Sequence, residues 1–580
     1  MVKAKSCLEN ISPIDKDENK KQWRLKLDKN ENIYGVSNFI VSTIKNIDNE
    51  TISHYSNNEK LINKLSQYYN IDNSQIEIYS GSNDATRIIF SAYLENQDEI
   101  LANYNLSNEI QNLSQCFGAI IKNINFKNFK LNVENFKNYI TDKTKIFYCA
   151  TPDNNTGVLF KPSLLEFLVQ NFPNILFVIN CSYINYAQNT NLEDYLDLVK
   201  KYNNVVVIKS FSHDYALAGL RISFICASKD IINNLRKIDS GNTNSVALEC
   251  AYCALNNDSV FEEIKIQNDN ARELLHNGLI EKGFKPIQSE ANFILCNFLN
   301  YTDFYYRKLK NNGVIVKRYD EDSPYSSYLR ITVPKIGGVK YILELLKKKD
   351  ILIFNPDGII FDTNDSVNEA IIQTFKHFAG YTIKQEEIMH AKNMGGYNFS
   401  WNIIKYLLEK HNIHIEINDI AKVFQNIFYN PNNKEGDFLI NKEKLLFSKE
   451  NLEELCKKYD LILFSDRQDF ELKYSLEKFE IDRFFDYIIT VNNLEYGHFK
   501  PNPQGVYEIL GHCPHNSAKY IGNTVNDIIA GNKANVYTIG FVIFEESKSV
   551  MINNFKHLCA NNIIENKEDI LNFLFKNEQN

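Results

Sequence analysis

Two stretches of this chain keep the same rhythm. Between residues 145 and 226, β-branched and aromatic runs (KIFYCAT, ILFVIN, VVVIKSF and RISFICA) alternate with polar segments of helical period. From 351 the alternation restarts in ILIFNPDG (351–358) and continues through LILFSD (461–466), YIITVNN (487–493), KYIGNT (519–524) and VYTIGFV (536–542). Apolar runs separated by helices predict parallel sheets covered on both faces, because a parallel crossover needs a long connection, usually a helix that packs back on the sheet. Two α/β units are therefore expected. Between about 366 and 450, helix-periodic sequence interrupts the second alternation after its first strand, as a helical cap would.

With 580 residues the chain has room for about three folding units. Its formal charge of -8 gives no basic surplus for gripping phosphate backbones, so nucleic acid is not an expected partner. No run approaches the ~18 apolar residues of a membrane helix. The opening MVKAKSCLENISPIDKDENKKQW has neither the apolar core of a secretory signal nor the composition of a transit peptide, which makes the cytoplasm the expected compartment. Cysteines such as Cys149, Cys181, Cys226 and Cys296 lie within apolar runs, the pattern of reduced, buried thiols. Cys250 and Cys253 form a CxxC inside a helical stretch with no second pair nearby. His512, Cys513 and His515 read as a polar turn before a strand. Neither group predicts a metal site.

LDKNENIYG (27–35), His54-Tyr55, GSNDAT (81–86), TPDNNTG (151–157), SFSHDYALAGLR (210–221), SEANFIL (289–295) and YLRITVP (328–334) follow one another with the order and spacing of a known family. Over about 24–347 the chain resembles the histidinol-phosphate aminotransferases, fold-type-I pyridoxal-phosphate enzymes. That chemistry needs a lysine to bind the cofactor as a Schiff base and a carboxylate to keep the pyridine nitrogen protonated. By resemblance the lysine position is His213 and the carboxylate position is Asn180; an imidazole forms no internal aldimine and an amide brings no counter-charge. The resemblance further implies that Ser82, Asn83 and Asp84, with Ser210, Ser212 and Arg221, would cradle the cofactor phosphate. Asn154 and Tyr183 would face the ring hydroxyl, Tyr55 would reach the neighbouring subunit's phosphate in a homodimer, and Arg330 would clamp the substrate anion. Tyr104 or Ile110 takes the ring-stacking position.

ILIFNPDGIIFDT (351–363), Ser465 in LILFSDRQ, Lys500 in FKPNP and IGNTVNDIIAG (521–531) look like the four motifs of the haloacid-dehalogenase phosphatase superfamily. KNMGGYNFSWN (392–402) is similar to a GG-x-N-x-x-W signature of a subgroup with helical caps. Such enzymes attack phosphorus with an Asp carboxylate and hold Mg²⁺ between that Asp and an acid of the last motif. Here Asn355 stands at the nucleophile and Asn523 at the metal acid, while Asp357 (the expected acid/base), Ser465, Lys500 and Asp527 are kept, Asp527 as the remaining candidate for a metal.

The resemblances together imply an α/β chain: a fold-type-I aminotransferase, with a large parallel or mixed sheet domain (41–244) and a small domain (1–40 and 245–347), then a doubly wound haloacid-dehalogenase-like domain (348–580) with a helical cap (366–450). Each site lacks its principal covalent residue and its principal charge partner. The expected function is a double pseudoenzyme, a scaffold or ligand-binding protein that could serve in a larger assembly with protein partners. No covalent cofactor and no Mg²⁺ are expected, and pyridoxal or pyridoxamine phosphate would be held non-covalently if at all. The alternative is a bifunctional enzyme that transaminates imidazole-acetol phosphate and then dephosphorylates the product; it requires a lysine at 213 and an aspartate at 355.

Overall fold

The computed structural model describes residues 23–102, 106–124, 136–239, 243–394, 399–432, 437–542 and 548–576. It divides into two compact units, one of residues 1–299 with 313–345, the other of 300–312 with 346–580. Among the described residues no helix is long and apolar enough to cross a membrane.

The first unit is built on a seven-stranded sheet. Its strands are β2 (Ile76–Tyr79), β3 (Glu99–Ala102), β4 (Ile120–Asn123), β5 (Thr144–Ala150), β6 (Leu176–Asn180), β7 (Val205–Ser210) and β8 (Ser223–Ala227), in the order β2-β8-β7-β6-β5-β3-β4. Neighbours pair in parallel except at β8, which runs antiparallel to both β2 and β7. The sequence rhythm predicts a parallel sheet through RISFICA, and this strand corrects it. Only a short loop with one turn, Ala218–Leu220, separates β7 from β8, and no crossover helix fits there.

Alternate residues of the central strands feed two cores. Phe177, Ile179, Val205 and Val207 face one helical layer, and Leu176, Val178, Val206 and Ile208 face the other. By the same alternation Asn180 and Ser210 leave their strands on the second face and Lys209 on the first. A five-stranded sheet completes the unit: β1 (Leu25–Leu27), β9 (Lys285–Pro286), β10 (Phe293–Asn297), β11 (Val314–Arg318) and β12 (Tyr328–Thr332), in the order β1-β11-β12-β10-β9.

The second unit holds a parallel sheet of β13 (Lys349–Phe354), β16 (Tyr459–Phe464), β17 (Phe485–Ile489), β18 (His515–Gly522), β19 (Tyr537–Phe541) and β20 (Asn562–Ile564), in the order β17-β16-β13-β18-β19-β20. β14 (Phe361–Asp362) and β15 (Lys444–Leu445) form a two-stranded ribbon. Between them, helices Glu369–Ala379, Ser400–Lys410 and Ile417–Phe428 pack through Ile371, Phe375, Ile404, Leu407, Leu408, Ile420 and Phe424 into a core of their own. This unit also takes in helix Thr302–Asn311, which a division at 347 would place elsewhere. Lys308 and Asp460, both buried, pair at 2.7 Å, and Arg307 donates to the Phe485 carbonyl at 2.7 Å.

Candidate functional site

The first site gathers where β5, β6 and β7 end, the edge at which such sheets bind ligands. Helix Ser82–Tyr93 opens on Gly81, whose φ of +94° lies in the left-handed region, and the Ser82, Asn83 and Asp84 N–H groups have no partner among the described residues. A Cβ at Gly81 would meet the Arg221 Nη2 at 2.5 Å, so this guanidinium lies against the positive end of the helix. Arg221 is itself left-handed (φ +55°). The Asp84 carboxylate accepts from Ser80 N–H and pairs with Arg87, so only its backbone remains for a ligand. Ser210 Oγ and Ser212 Oγ sit 2.9 Å apart, both buried. Free helix N–H groups, two hydroxyls and an arginine suit a phosphate.

At the other end of the pocket, Asn180 Oδ1 accepts from Ser182 N–H (3.1 Å) and Oγ–H (2.5 Å), and its Nδ2 donates to Tyr148 Oη (3.1 Å). His213 stacks on Tyr183 with centroids 4.2 Å apart and planes 24° apart, and its Nδ1 meets the Asn30 carbonyl at 2.8 Å. Burial pushes the imidazole pKa down to about 4, aided by the cations Lys209, Arg330 and Arg221. Arg330 donates to the carbonyls of Asn154 (2.8 Å) and Asp28 (2.9 Å), which holds it in the pocket wall. Tyr55 is 92% exposed. Of the two ring-stacking candidates, Ile110 is buried in the core and Tyr104 lies outside the described residues.

These residues do not fit a covalently held pyridoxal phosphate. Position 213 supplies no amine. Lys209, the buried lysine nearest in sequence, is engaged instead: its Nζ pairs with the buried Asp214 and lies 3.4 Å from the Ser182 carbonyl.

The second site follows from the order β16-β13-β18, which sets Ser465, Asn355 and Asn523 side by side just past three adjacent strand ends. Asn355 Nδ2 donates to Asn523 Oδ1 (2.9 Å) and to Asp527 Oδ2 (3.1 Å). Asp527 also accepts from Lys500 Nζ (2.9 Å), Tyr520 Oη (2.7 Å) and Thr524 N–H (3.0 Å) and Oγ1–H (2.8 Å). Burial alone would raise its pKa, but Lys500 and these donors hold it below the ordinary carboxylate range. Asp527 thereby completes the capping box of helix Val525–Lys533 and pairs with Lys500. Among the described residues no group of three His, Cys, Asp or Glu is placed to hold a metal ion.

Asp357 lies within ion-pair distance of Arg467 (2.6 Å), which is buried, also pairs with Glu443 (2.6 Å) and donates to Ser475 Oγ (2.9 Å). Phe361 and Phe428 flank the guanidinium, with centroids 5.2 and 5.7 Å away. Lys392 donates to Asn368 Oδ1 at 2.6 Å, and burial pushes its pKa down to about 8 against the attraction of Asp357. Asp466, 3.3 Å from Lys500, has its pKa pushed up to about 6 by burial.

A family model described as aminotransferase class I and II matches residues 24–346. The chain belongs to that family. A second, described as haloacid dehalogenase-like hydrolase, matches 352–541, so the aminotransferase-family half is fused to a haloacid dehalogenase-like domain. The aminotransferase half is 31% identical over 340 residues to histidinol-phosphate aminotransferase of Methanocaldococcus jannaschii, covering 56% of this chain and 88% of that one. The same enzyme of Caldicellulosiruptor saccharolyticus is 28% identical over 312 residues, covering 53% and 87%. Among solved structures, histidinol-phosphate aminotransferase of Sinorhizobium meliloti in complex with pyridoxal-5'-phosphate superposes with a TM-score of 0.55 at 16% identity, over 60% of this chain and 98% of that chain. A mutant aspartate aminotransferase of Thermus thermophilus gives 0.52 at 16% identity, over 60% and 99%.

Several residues that shape the two sites carry no assigned role in the motifs, although Asn30 (27–35), Asp214 (210–221) and Arg467 (beside Ser465) lie within the motif stretches. Asn30, left-handed at φ +56° and buried, presents the carbonyl that fixes His213. Lys209 and Asp214 flank the SFSH loop. Arg467 follows Ser465 by two residues, a position readable as part of the motif loop, but Glu443 has no sequence signal at all.

Proposed function

We propose that this aminotransferase–haloacid dehalogenase fusion is a double pseudoenzyme that binds phosphorylated small molecules and turns them over in neither half. The observation that carries the reading is the setting of His213, a neutral imidazole held between Tyr183 and the Asn30 carbonyl, with Lys209 engaged by the buried Asp214. The amide pair Asn355 and Asn523 supports the same reading for the second half, since two neutral side chains bring neither a nucleophile nor the field a divalent cation needs. The free N–H groups of residues 82–84 beside Arg221 support retained phosphate binding. The exposed Tyr55 is available to a second copy, and a two-fold homodimer belongs to the proposal.

The test is incubation of the purified protein with pyridoxal phosphate, borohydride reduction and intact mass. Saturable binding without a reduced adduct in the pocket is the expected result. The names of the relatives favour a second reading, a histidinol-phosphate aminotransferase joined to a phosphatase. A reduced adduct mapped to a pocket lysine, with amino-group transfer to an acceptor keto acid, would establish that reading instead.

A further inference from the structure

We infer that the first pocket, on the ligand-binding reading above, selects a phosphorylated primary amine over the corresponding aldehyde, with Nε2 of His213 as the acceptor that tells them apart. The tautomer is set by geometry. A carbonyl oxygen only accepts, so the hydrogen in the 2.8 Å contact between His213 and Asn30 sits on Nδ1. That carbonyl cannot turn away: Asn30 N–H donates to Thr332 Oγ1 (3.0 Å), its Nδ2 to Tyr183 Oη (3.1 Å), and its oxygen also accepts from Asn292 Nδ2 (3.0 Å). A neutral imidazole with its hydrogen on Nδ1 keeps its lone pair on Nε2, and Nε2 has no hydrogen-bond partner among the described residues, in a side chain that is only partly buried. Tyr183 fixes the ring plane.

The chemistry of the pocket's two ends then differs from that of an amine-bearing site. Arg221, Ser210 and Ser212 take an anion. At 213 a lysine would repel an ammonium ligand in its protonated form and attack a carbonyl in its deprotonated form; an imidazole acceptor does neither. The depressed imidazole pKa keeps that acceptor uncharged at neutral pH, so a ligand amine can donate to Nε2, and the cations Lys209, Arg330 and Arg221 that disfavour charge on the imidazole favour the amine's neutral form. An aldehyde offers no donor and leaves Nε2 unpaired.

Titration calorimetry on the full-length protein with pyridoxamine 5'-phosphate, pyridoxal 5'-phosphate and pyridoxine 5'-phosphate reads this directly. Pyridoxamine phosphate is expected to bind about tenfold to a hundredfold more tightly than pyridoxal phosphate. His213→Phe, which keeps the ring and removes the acceptor, is expected to bring the two to parity. Equal or tighter binding of the aldehyde, or a gap that survives in His213→Phe, overturns the inference and leaves the ligand-binding reading standing. Should the variant not fold, the wild-type protein decides alone: pyridoxine phosphate, whose hydroxymethyl group can donate to Nε2, must bind more tightly than pyridoxal phosphate. If none of the three binds, the ligand-binding reading falls and this inference with it.

Discussion

Asn355→Asp tests whether the second site has become self-sufficient without a cation. In the wild type the Asn355 amide donates to Asp527 Oδ2 at 3.1 Å and to Asn523 Oδ1 at 2.9 Å. Replacing the NH₂ with a carboxylate oxygen turns the first contact into like-charge repulsion, about 5 kcal/mol at this distance and an effective dielectric constant near 20. It also removes a hydrogen bond to a charged acceptor, worth about 1.5–3 kcal/mol. Lys500, 2.9 Å from the same carboxylate, offsets part of this, so a net loss of about 3–5 kcal/mol is expected in EDTA. A divalent cation binding only the folded variant returns about 2.7 kcal/mol at a hundred times its Kd. Scanning calorimetry of the full-length protein, which resolves separate transitions, should show one transition lowered in the variant and raised again by excess Mg²⁺, with no Mg²⁺ effect on the wild type. A variant within about 1 kcal/mol of wild type in EDTA, or a wild type already stabilised by Mg²⁺, would refute the reasoning.

His213→Lys should give a borohydride-stable adduct with pyridoxal phosphate at residue 213, read by peptide mass, while transamination stays low because Asn180 still provides no charge. Arg467→Ala should cost about 3–5 kcal/mol in urea unfolding, since it leaves the buried Glu443, and the partly exposed Asp357, without their guanidinium; Arg467→Lys should recover only part, because one ammonium cannot span Glu443, Asp357 and Ser475. Burial raises the Glu471 pKa to about 7, above its unfolded value, so its stabilising effect is complete below about pH 4.5 and is lost as pH rises toward 7; Glu471→Gln should flatten stability across that window, about 3 kcal/mol in all, in unfolding titrations at a series of pH values. Gly81→Ala places a methyl at 2.5 Å from Arg221 Nη2 on a left-handed backbone, and should weaken calorimetric phosphate-ligand binding at least tenfold by displacing the guanidinium.

The sheets were legible because β-branched runs and helical spacers alternate, and the site positions because each motif follows a strand end in the same register. Asn180 at the end of β6, Asn355 after β13 and Asn523 after β18 were assigned through the motif resemblance, and each lies at a strand end. The direction of β8 was not legible from its composition, because an antiparallel strand buried on both faces reads like a parallel one; only the shortness of the loop after Ser210 distinguishes them. Asp527 reads as a metal acid in the motif, and its role as the acidic partner of Thr524 in a helix capping box is legible only from the three-residue spacing between them. Arg467 and Glu443 lie 24 residues apart and meet only through tertiary packing, which no local periodicity records.

Helix Thr302–Asn311 sets where this chain can be divided. By sequence it falls inside the aminotransferase match of 24–346, and in space it clusters with residues 346–580. A cut at residue 347 made on motif boundaries would leave Asp460 buried opposite an empty place where Lys308 had been, and would remove the donors that Arg307 and Asn311 give to the Phe485 carbonyl at the edge of the sheet. The second fragment would inherit an unpaired interior carboxylate and a raw strand edge, both hazards for solubility. Gene boundaries drawn from family matches and folding boundaries drawn from packing are here different lines, and a shuffling event at the first would not yield two autonomous parts.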